Sequence, residues 1–252
     1  MRIMKKWTVS QEGLKLIATL AMLLDHIGAV LVYSMYAAAR TAGDVQAANA
    51  VVPLYQMLRI IGRIAFPIYC FLLVEGYHYT RDKKKYLIRL VICMILAEIP
   101  FDLTSSGAID WKDNSVMLTL VLGFLMMAGM DCMEDWKKLL AIPVFYGLAE
   151  ALGSNYGGNG ILIIAMLALT RSLPGEKLWR LLLLPPLLWF GANVTFGGLT
   201  FPLELFGLLA LIPIFLYEGR KVTRNKWLQW SFYLFYPVHL LVIWGLDKLI
   251  FG

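Results

Sequence analysis

The run Leu14–Tyr33 is long and apolar enough to cross a bilayer as a helix, yet it carries an adjacent acid and imidazole, Asp25 and His26, near its middle. At 1.5 Å per residue these two sit about eleven residues in, roughly at the bilayer midplane. An ionised Asp there costs on the order of 2.5–3.5 kcal/mol on insertion scales. A chain with this first helix must therefore supply partners for the pair from other helices. The rest of the sequence fits that demand. Its 252 residues are 60% hydrophobic and 16% charged, with mean hydropathy +0.68. Soluble domains are roughly 45–50% apolar and about 25% charged. The composition predicts an all-α, polytopic transmembrane bundle spanning 1–252 as one integral-membrane domain.

Nine apolar segments can be cut from the sequence: about 13–34, 54–77, 86–103, 115–131, 138–153, 159–171, 178–192, 199–217 and 227–249. Several are near or below the ~17 residues needed to cross. The first is too long and too interrupted to read as a cleaved signal segment, and is expected to be a retained helix. Basic residues alternate between the connecting loops. Arg2, Lys5, Lys6 and Lys15 precede or open the first segment. Arg81, Lys83, Lys84, Lys85 and Arg89 follow the second, and Lys137 and Lys138 the fourth. Arg171, Lys177 and Arg180 follow the sixth, and Arg220, Lys221, Arg224 and Lys226 the eighth. The intervening loops and the carboxyl end hold only Arg40, Lys112 and Lys248. By the positive-inside rule this predicts nine crossings, the amino end cytoplasmic and the carboxyl end outside. The expected outer loops are Tyr36–Pro53, Thr104–Asn114, Ser154–Gly158 and Asn193–Gly198. Trp7, Trp111, Trp136, Trp227 and Trp230 read as an interfacial belt. Cys70, Cys93 and Cys132 have no metal-ligand spacing and read as packing. No nucleic-acid-binding stretch is present; the expected surroundings are membrane lipid.

Further ionisable residues fall at membrane depth. Arg59 and Arg63 are four apart on the second segment and share a helix face. Glu98 and Asp102 are also four apart, around Pro100. His239 lies in the last segment with Tyr236 one turn before it, and Glu204 lies in the eighth. Lys15 and His26 are eleven apart, three turns on one face. Convergence of Asp25, His26, Arg63, Glu98 and His239 at one depth predicts a shared polar site. An interhelical ion pair of Arg63 with Glu98 or Asp25 accounts for part of it on structural grounds alone. Chemically, a histidine beside a carboxylate can serve as general base, and a buried arginine can stabilise an oxyanion. No phosphate loop, metal cluster or nucleophile elbow accompanies them. Two functions fit: direct acyl transfer from a thioester, or a proton-coupled transporter or exporter with an Asp/His/Glu relay. Absence of an internal repeat weighs against the transporter. A membrane assembly partner for pili, with a purely structural polar core, is a third possibility.

The stretches LKLIATLAMLLDHIGAVL, LRIIGRIAFPIYCFLLVEGYHYT, KYLIRLVICMILAEIPFDL and FYLFYPVHLLVI resemble the TraX family, in order and over nearly the whole chain. The resemblance implies a bacterial inner-membrane enzyme that acetylates the amino terminus of pilin, within a wider group of integral-membrane acyltransferases. Lys15 to His26 matches a basic-residue-to-histidine spacing found in some of that group. Arg59 and Arg63 match its Arg-x-x-x-Arg, which is associated with acyl-donor handling. The implied co-substrate is acetyl-CoA. Lys15, Arg59, Arg81, Lys83 and Lys84 are expected to bind it, and His26, Asp25 and Arg63 to catalyse. Glu98, Asp102, Asn114, Tyr236 and His239 are expected to bind the acceptor, a pilin-type peptide or another amine or hydroxyl.

Overall fold

Ser10 accepts the Gly13 N–H at 3.1 Å and so caps α1 (Gln11–Ile27). In the computed structural model, which describes residues 8–109, 112–196, 198–219 and 226–252, this helix does not end at the expected boundary. It passes through a π-helical turn, Gly28–Val32, into α2 (Tyr33–Thr41), giving one helical run of 31 residues. Gly43, at φ +75°, turns the chain, and Asp44 accepts the Ala47 N–H at 2.9 Å to start α3 (Val45–Gly62). Only Ala42, Gly43 and Asp44 thus separate helices where an outer loop over Tyr36–Pro53 was expected. The alanine-rich stretches around Ala37 and Ala47 are strong helix formers that continue the helices beyond the apolar segments.

α3 leads almost without pause into α4 (Ala65–Tyr79), so Val45–Tyr79 forms a 35-residue apolar run. It is interrupted only at Arg63 and Ile64. Pro67 explains the position of the break: it has no N–H for the Arg63 carbonyl four residues earlier, and its ring crowds that carbonyl. α5 (Lys83–Ser105) starts at Asp82, which accepts the Lys85 N–H at 2.9 Å. α6 (Val116–Asp131), α7 (Ala141–Ala151), α8 (Gly157–Thr170) and α9 (Glu176–Leu187) follow. Next comes an antiparallel hairpin of β1 (Asn193–Phe196) and β2 (Leu199–Pro202), with Asn193 opposite Pro202. A 3₁₀ helix, Leu203–Ala210, a short α10 (Leu211–Phe215) and α11 (Lys226–Phe251) complete the chain.

Three described helices are long and apolar enough to cross a membrane: Gln11–Thr41, Val45–Tyr79 and Trp230–Phe251. α5 has 23 residues but carries charge at both ends. α7, α8 and α9 have 11, 14 and 12 residues, short of the usual ~17–25. The expected eighth segment, 199–217, is not one spanning helix: its first four residues are β2, and the helical run that follows, Leu203–Phe215, changes from 3₁₀ to α at Leu211 and is short of the usual ~17–25 residues. Of the basic residues used to orient the chain, Arg2, Lys5, Lys6, Arg220, Lys221 and Arg224 lie outside the described residues, as do Trp7 and Trp111. Trp136, Trp227 and Trp230 are exposed. Cys70 and Cys93 are buried, whereas Cys132, at the end of α6, is exposed, so packing does not account for it.

Side-chain contacts give the directions of the helices. Lys15 lies over Phe232, and His26 bonds His239, so α1 and α11 run parallel. Asp25 meets Arg59 and Tyr33 meets Tyr55, so α3 runs against α1. Cys93 donates to the Tyr233 carbonyl at 3.3 Å, which Pro237 leaves without a helical donor. α4, α6 and α8 form the centre, where Ile68, Phe124, Met126, Ile161, Ile164 and Leu167 are buried. The outward stripe of α5 is apolar: Ile88, Ile95 and Ile99 are 56%, 62% and 56% exposed. A fold with apolar residues on both its inside and its outer face is suited to lipid.

Close helix approach sets the first testable outcome. A Cβ at Gly158 would lie 2.3 Å from the Tyr146 ring, whereas one at Gly147 on α7 would meet nothing within 4 Å. Gly158→Ala is expected to destabilise the detergent-solubilised protein by about 1–3 kcal/mol. Gly147→Ala is expected to be neutral or slightly stabilising. Thermal unfolding of both variants checks the pair.

Candidate functional site

The Asp25 carboxylate faces α3 and takes both arginines. Arg59 Nη1 donates to its Oδ2 at 2.7 Å, and Arg63 Nη2 to its Oδ1 at 2.5 Å. The helix break at Arg63 frees that side chain to make a second ion pair, from Nη1 to Glu204 on the 3₁₀ helix. Asp25, Arg63 and Glu204 are 9%, 8% and 7% exposed. Gly62 makes the approach possible: a Cβ there would lie 2.2 Å from Asp25 Oδ1. The result is a buried network of two acids and two guanidinium groups drawn from three parts of the chain.

His26, next in sequence, turns to the other side of α1. Its Nδ1 lies 2.8 Å from His239 Nε2 on α11. His239 Nδ1 in turn bonds the Phe235 carbonyl at 2.7 Å. Tyr236 is buried and meets His26 edge to face, with ring centroids 6.0 Å apart.

Asp25, His26, Arg59 and Arg63 line a cavity of about 980 Å³ together with Tyr69, Tyr156 and Tyr236. It is at the upper end of the usual range for small-molecule sites. The cavity follows α1 from Gln11 and Glu12 to Ser34. That is roughly 33 Å of helix, slightly more than a ~30 Å hydrocarbon core. At one end Lys15 and Arg89 join the lining, from the starts of α1 and α5. At the other end are Asp113, Asn155 and Asp247. His26 and the arginines lie between the two.

Several expected site residues lie elsewhere. Glu98 does not line this cavity and does not pair with Arg63. It accepts the Ser115 N–H at 3.0 Å and its Oγ at 2.9 Å, and so holds the start of α6. Asp102 is 2% exposed and is also absent from the lining. Asn114 donates to the Leu152 carbonyl at 2.6 Å, stitching its loop to the α7–α8 turn, and Asp113 beside it lines the cavity instead. His239 sits behind His26, outside the lining. In the basic loop, Lys83 pairs with Asp131 at 2.6 Å and lies over the Tyr77 ring. Asp82 pairs with Lys85, and the backbone N–H of Lys85 holds its carboxyl below the usual carboxylate range. Arg81, Lys83 and Lys84 are all absent from the lining. Lys15 and Tyr236 are part of it.

The structure adds residues that the sequence alone does not mark as site residues. Arg89, an orientation charge there, lines the basic end, its guanidinium 5.8 Å from the Tyr86 ring centroid. Tyr156, in an expected outer loop, stacks on Phe66 with centroids 3.5 Å apart and faces the cavity beside the arginines. Tyr69 bonds Thr19 at 3.0 Å and joins α4 to α1. Glu204, at membrane depth in the sequence, completes the ion network through Arg63.

Residues 10–247 match a family model described as TraX protein. The chain is 30% identical to the probable fimbrial assembly protein FimC, serogroup H1, of Dichelobacter nodosus, over 91% of this chain and 92% of that one. It is 34% identical to an uncharacterised protein of Rickettsia prowazekii (strain Madrid E), over 49% of this chain and 38% of that one. No solved structure matches.

The ion network gives a second testable outcome. Asp25→Asn leaves two arginines facing one acid in a buried site, and breaking such a pair costs about 3–5 kcal/mol. The variant is expected to lose most of its monodisperse yield in detergent. Combining it with Arg59→Met removes the excess charge and is expected to recover part of the loss. A double-mutant cycle on thermal midpoints measures the coupling.

Proposed function

The chain belongs to the TraX family, and from that premise we propose that it is a membrane acetyltransferase. It moves an acetyl group from acetyl-CoA to an amine or hydroxyl on the far side of the bacterial cytoplasmic membrane. The acceptor class is a pilin-type amino terminus, in keeping with a fimbrial assembly protein as relative. The observation that carries the reading is the cavity along α1: two cations, Lys15 and Arg89, beside Glu12 at one end, two acids, Asp113 and Asp247, at the other, and an imidazole and two arginines midway. Such a passage lets a large anionic donor and an acceptor approach one centre from opposite faces.

In this reading the chain crosses nine times with its amino end inside, so Lys15 and Arg89 face the cytoplasm. They meet the donor phosphates there as charge-assisted donors. The pantetheine arm runs along α1 and brings the thioester to His26. The acceptor nitrogen or oxygen attacks the thioester carbonyl while His26 takes its proton. A bond forms from the acceptor to carbon, and the carbonyl electrons move onto oxygen. Arg59 and Arg63, with N–H groups fixed by Asp25, stabilise that oxyanion. As the oxyanion collapses, the carbon–sulfur bond breaks, and the departing thiolate takes the proton from His26. Asp25 acts through the arginines, holding their orientation.

Proteoliposomes with labelled acetyl-CoA on one face and a peptide amine on the other test this. Label on the peptide is the expected result. His26→Gln is expected to lower turnover by about 10²–10⁴-fold while donor binding stays within a few-fold. Lys15→Gln is expected to weaken donor binding instead. Proton flux without acetyl transfer would favour the exporter and overturn the proposal.

A further inference from the structure

The two histidines form a directional chain. The Phe235 carbonyl can only accept, so His239 Nδ1, 2.7 Å away, must carry a proton. In neutral His239 the other ring nitrogen, Nε2, is then a bare acceptor. It faces His26 Nδ1 at 2.8 Å, so His26 Nδ1 must carry the proton between them. That leaves His26 Nε2 unprotonated, and His26, unlike His239, lines the cavity. We propose that His239 is a positioning residue that fixes His26 in the tautomer whose Nε2 is a base.

The ring of His239 is held for this task. Phe235 stacks on it with centroids 4.8 Å apart and planes 15° from parallel. Tyr236 meets it edge to face at 5.7 Å. The residue is 6% exposed. A ring clamped on its face, its edge and one nitrogen cannot flip to offer Nδ1 to His26. The logic matches that of a carboxylate behind a catalytic histidine, with one difference: the terminal acceptor is a neutral backbone carbonyl. Among the described residues no acid is hydrogen-bonded to either imidazole in this chain of bonds. Asp25 is adjacent in sequence but is committed to Arg59 and Arg63 on the other side. An imidazole in water favours its proton on Nε2, the wrong nitrogen for this role, so the tautomer needs an outside acceptor.

The catalytic consequence rests on the acyl-transfer reading; the tautomer itself is a property of the resting protein and is measured separately. The chain has three histidines, His26, His78 and His239. Protein labelled with ¹⁵N-histidine in detergent, with His78→Gln to remove the third ring, gives an assignable spectrum. The expected result is a protonated Nδ1 and a bare Nε2 on His26, with the opposite requirement at the shared bond met by a bare Nε2 on His239. His239→Met is expected to move His26 toward the Nε2-protonated form. It should lower kcat by roughly 10–10³-fold, bounded by the whole contribution of a general base, without raising KM for acetyl-CoA. His239→Gln retains a side-chain acceptor and is expected to recover most of kcat. A His26 already protonated on Nε2 in the native spectrum overturns the proposal, and that spectrum decides the matter even where His239→Met fails to fold. An unchanged His26 tautomer in folded His239→Met overturns it equally. Absence of acetyl transfer with the expected spectrum overturns the functional reading and leaves the tautomer assignment standing.

Discussion

A carboxylate at bilayer depth has to be solvated by protein, and Asp25 obtains both of its guanidinium donors from one helix, a turn apart. That requirement fixes how α1 and α3 meet. A shift by one residue along either helix would leave a buried acid facing an alkyl surface. The local sequence follows from the same demand. Gly62 has to lack a side chain because the carboxylate occupies that space. The helix has to open at Arg63 so that one guanidinium can reach Asp25 and Glu204 together, and Pro67 ensures that it does. Buried ion pairs return little net stability compared with apolar packing. Their use here is as a register device, and the register sets the depth of His26 one residue on.

Much of this centre was legible in the sequence. Asp25, His26, Arg59, Arg63, Lys15 and Tyr236 stand out because ionisable and phenolic groups are rare in apolar runs, and depth can be counted in residues. What could not be counted is direction around the helix. α5 is apolar on nearly all sides, so no polar stripe reveals which way Glu98 points, and it turns to the start of α6. Four-residue spacing put Glu98 and Asp102 on one face without saying which neighbour that face meets. His239 lies behind His26 and not in the cavity wall, a position the sequence does not reveal because one of its two partners is a backbone carbonyl that leaves no trace in side-chain patterning.

The departures in the fold have a similar origin. Hydropathy reports where lipid could be, and helices do not stop there: α2 and α3 continue through alanine-rich sequence into the expected loop at 36–53. The hairpin at 193–202 straddles an expected boundary: its first strand falls in the expected loop 193–198, and its second, Leu199–Pro202, opens the expected eighth segment. β-branched and aromatic residues around a glycine turn carried the strand signal. Tyr69, Tyr156 and Arg89 are not legible as lining, because a packed tyrosine and a topology charge have the same composition as a binding wall.

On the acetyl-transfer reading, one site would have to serve two compartments, and the distribution of charge along the cavity bears on that demand. A nucleotide thioester carries several phosphate charges and cannot pass a hydrocarbon core, whereas an acetyl group is small and neutral. On that reading only the acetyl carbon would have to reach the midplane, and the passage would not need to transmit either substrate. The lining fits this division of labour. Cations at one end would retain the phosphates, acids at the other would repel them, and the middle is crossed by arginines tied to Asp25 and by an imidazole tied to α11. Fixing these groups on three different helices costs reorganisation once, during folding, and would leave them oriented for charge developing on a thioester oxygen. The network that solvates Asp25 is therefore also what would keep the reacting centre from behaving as a simple pore.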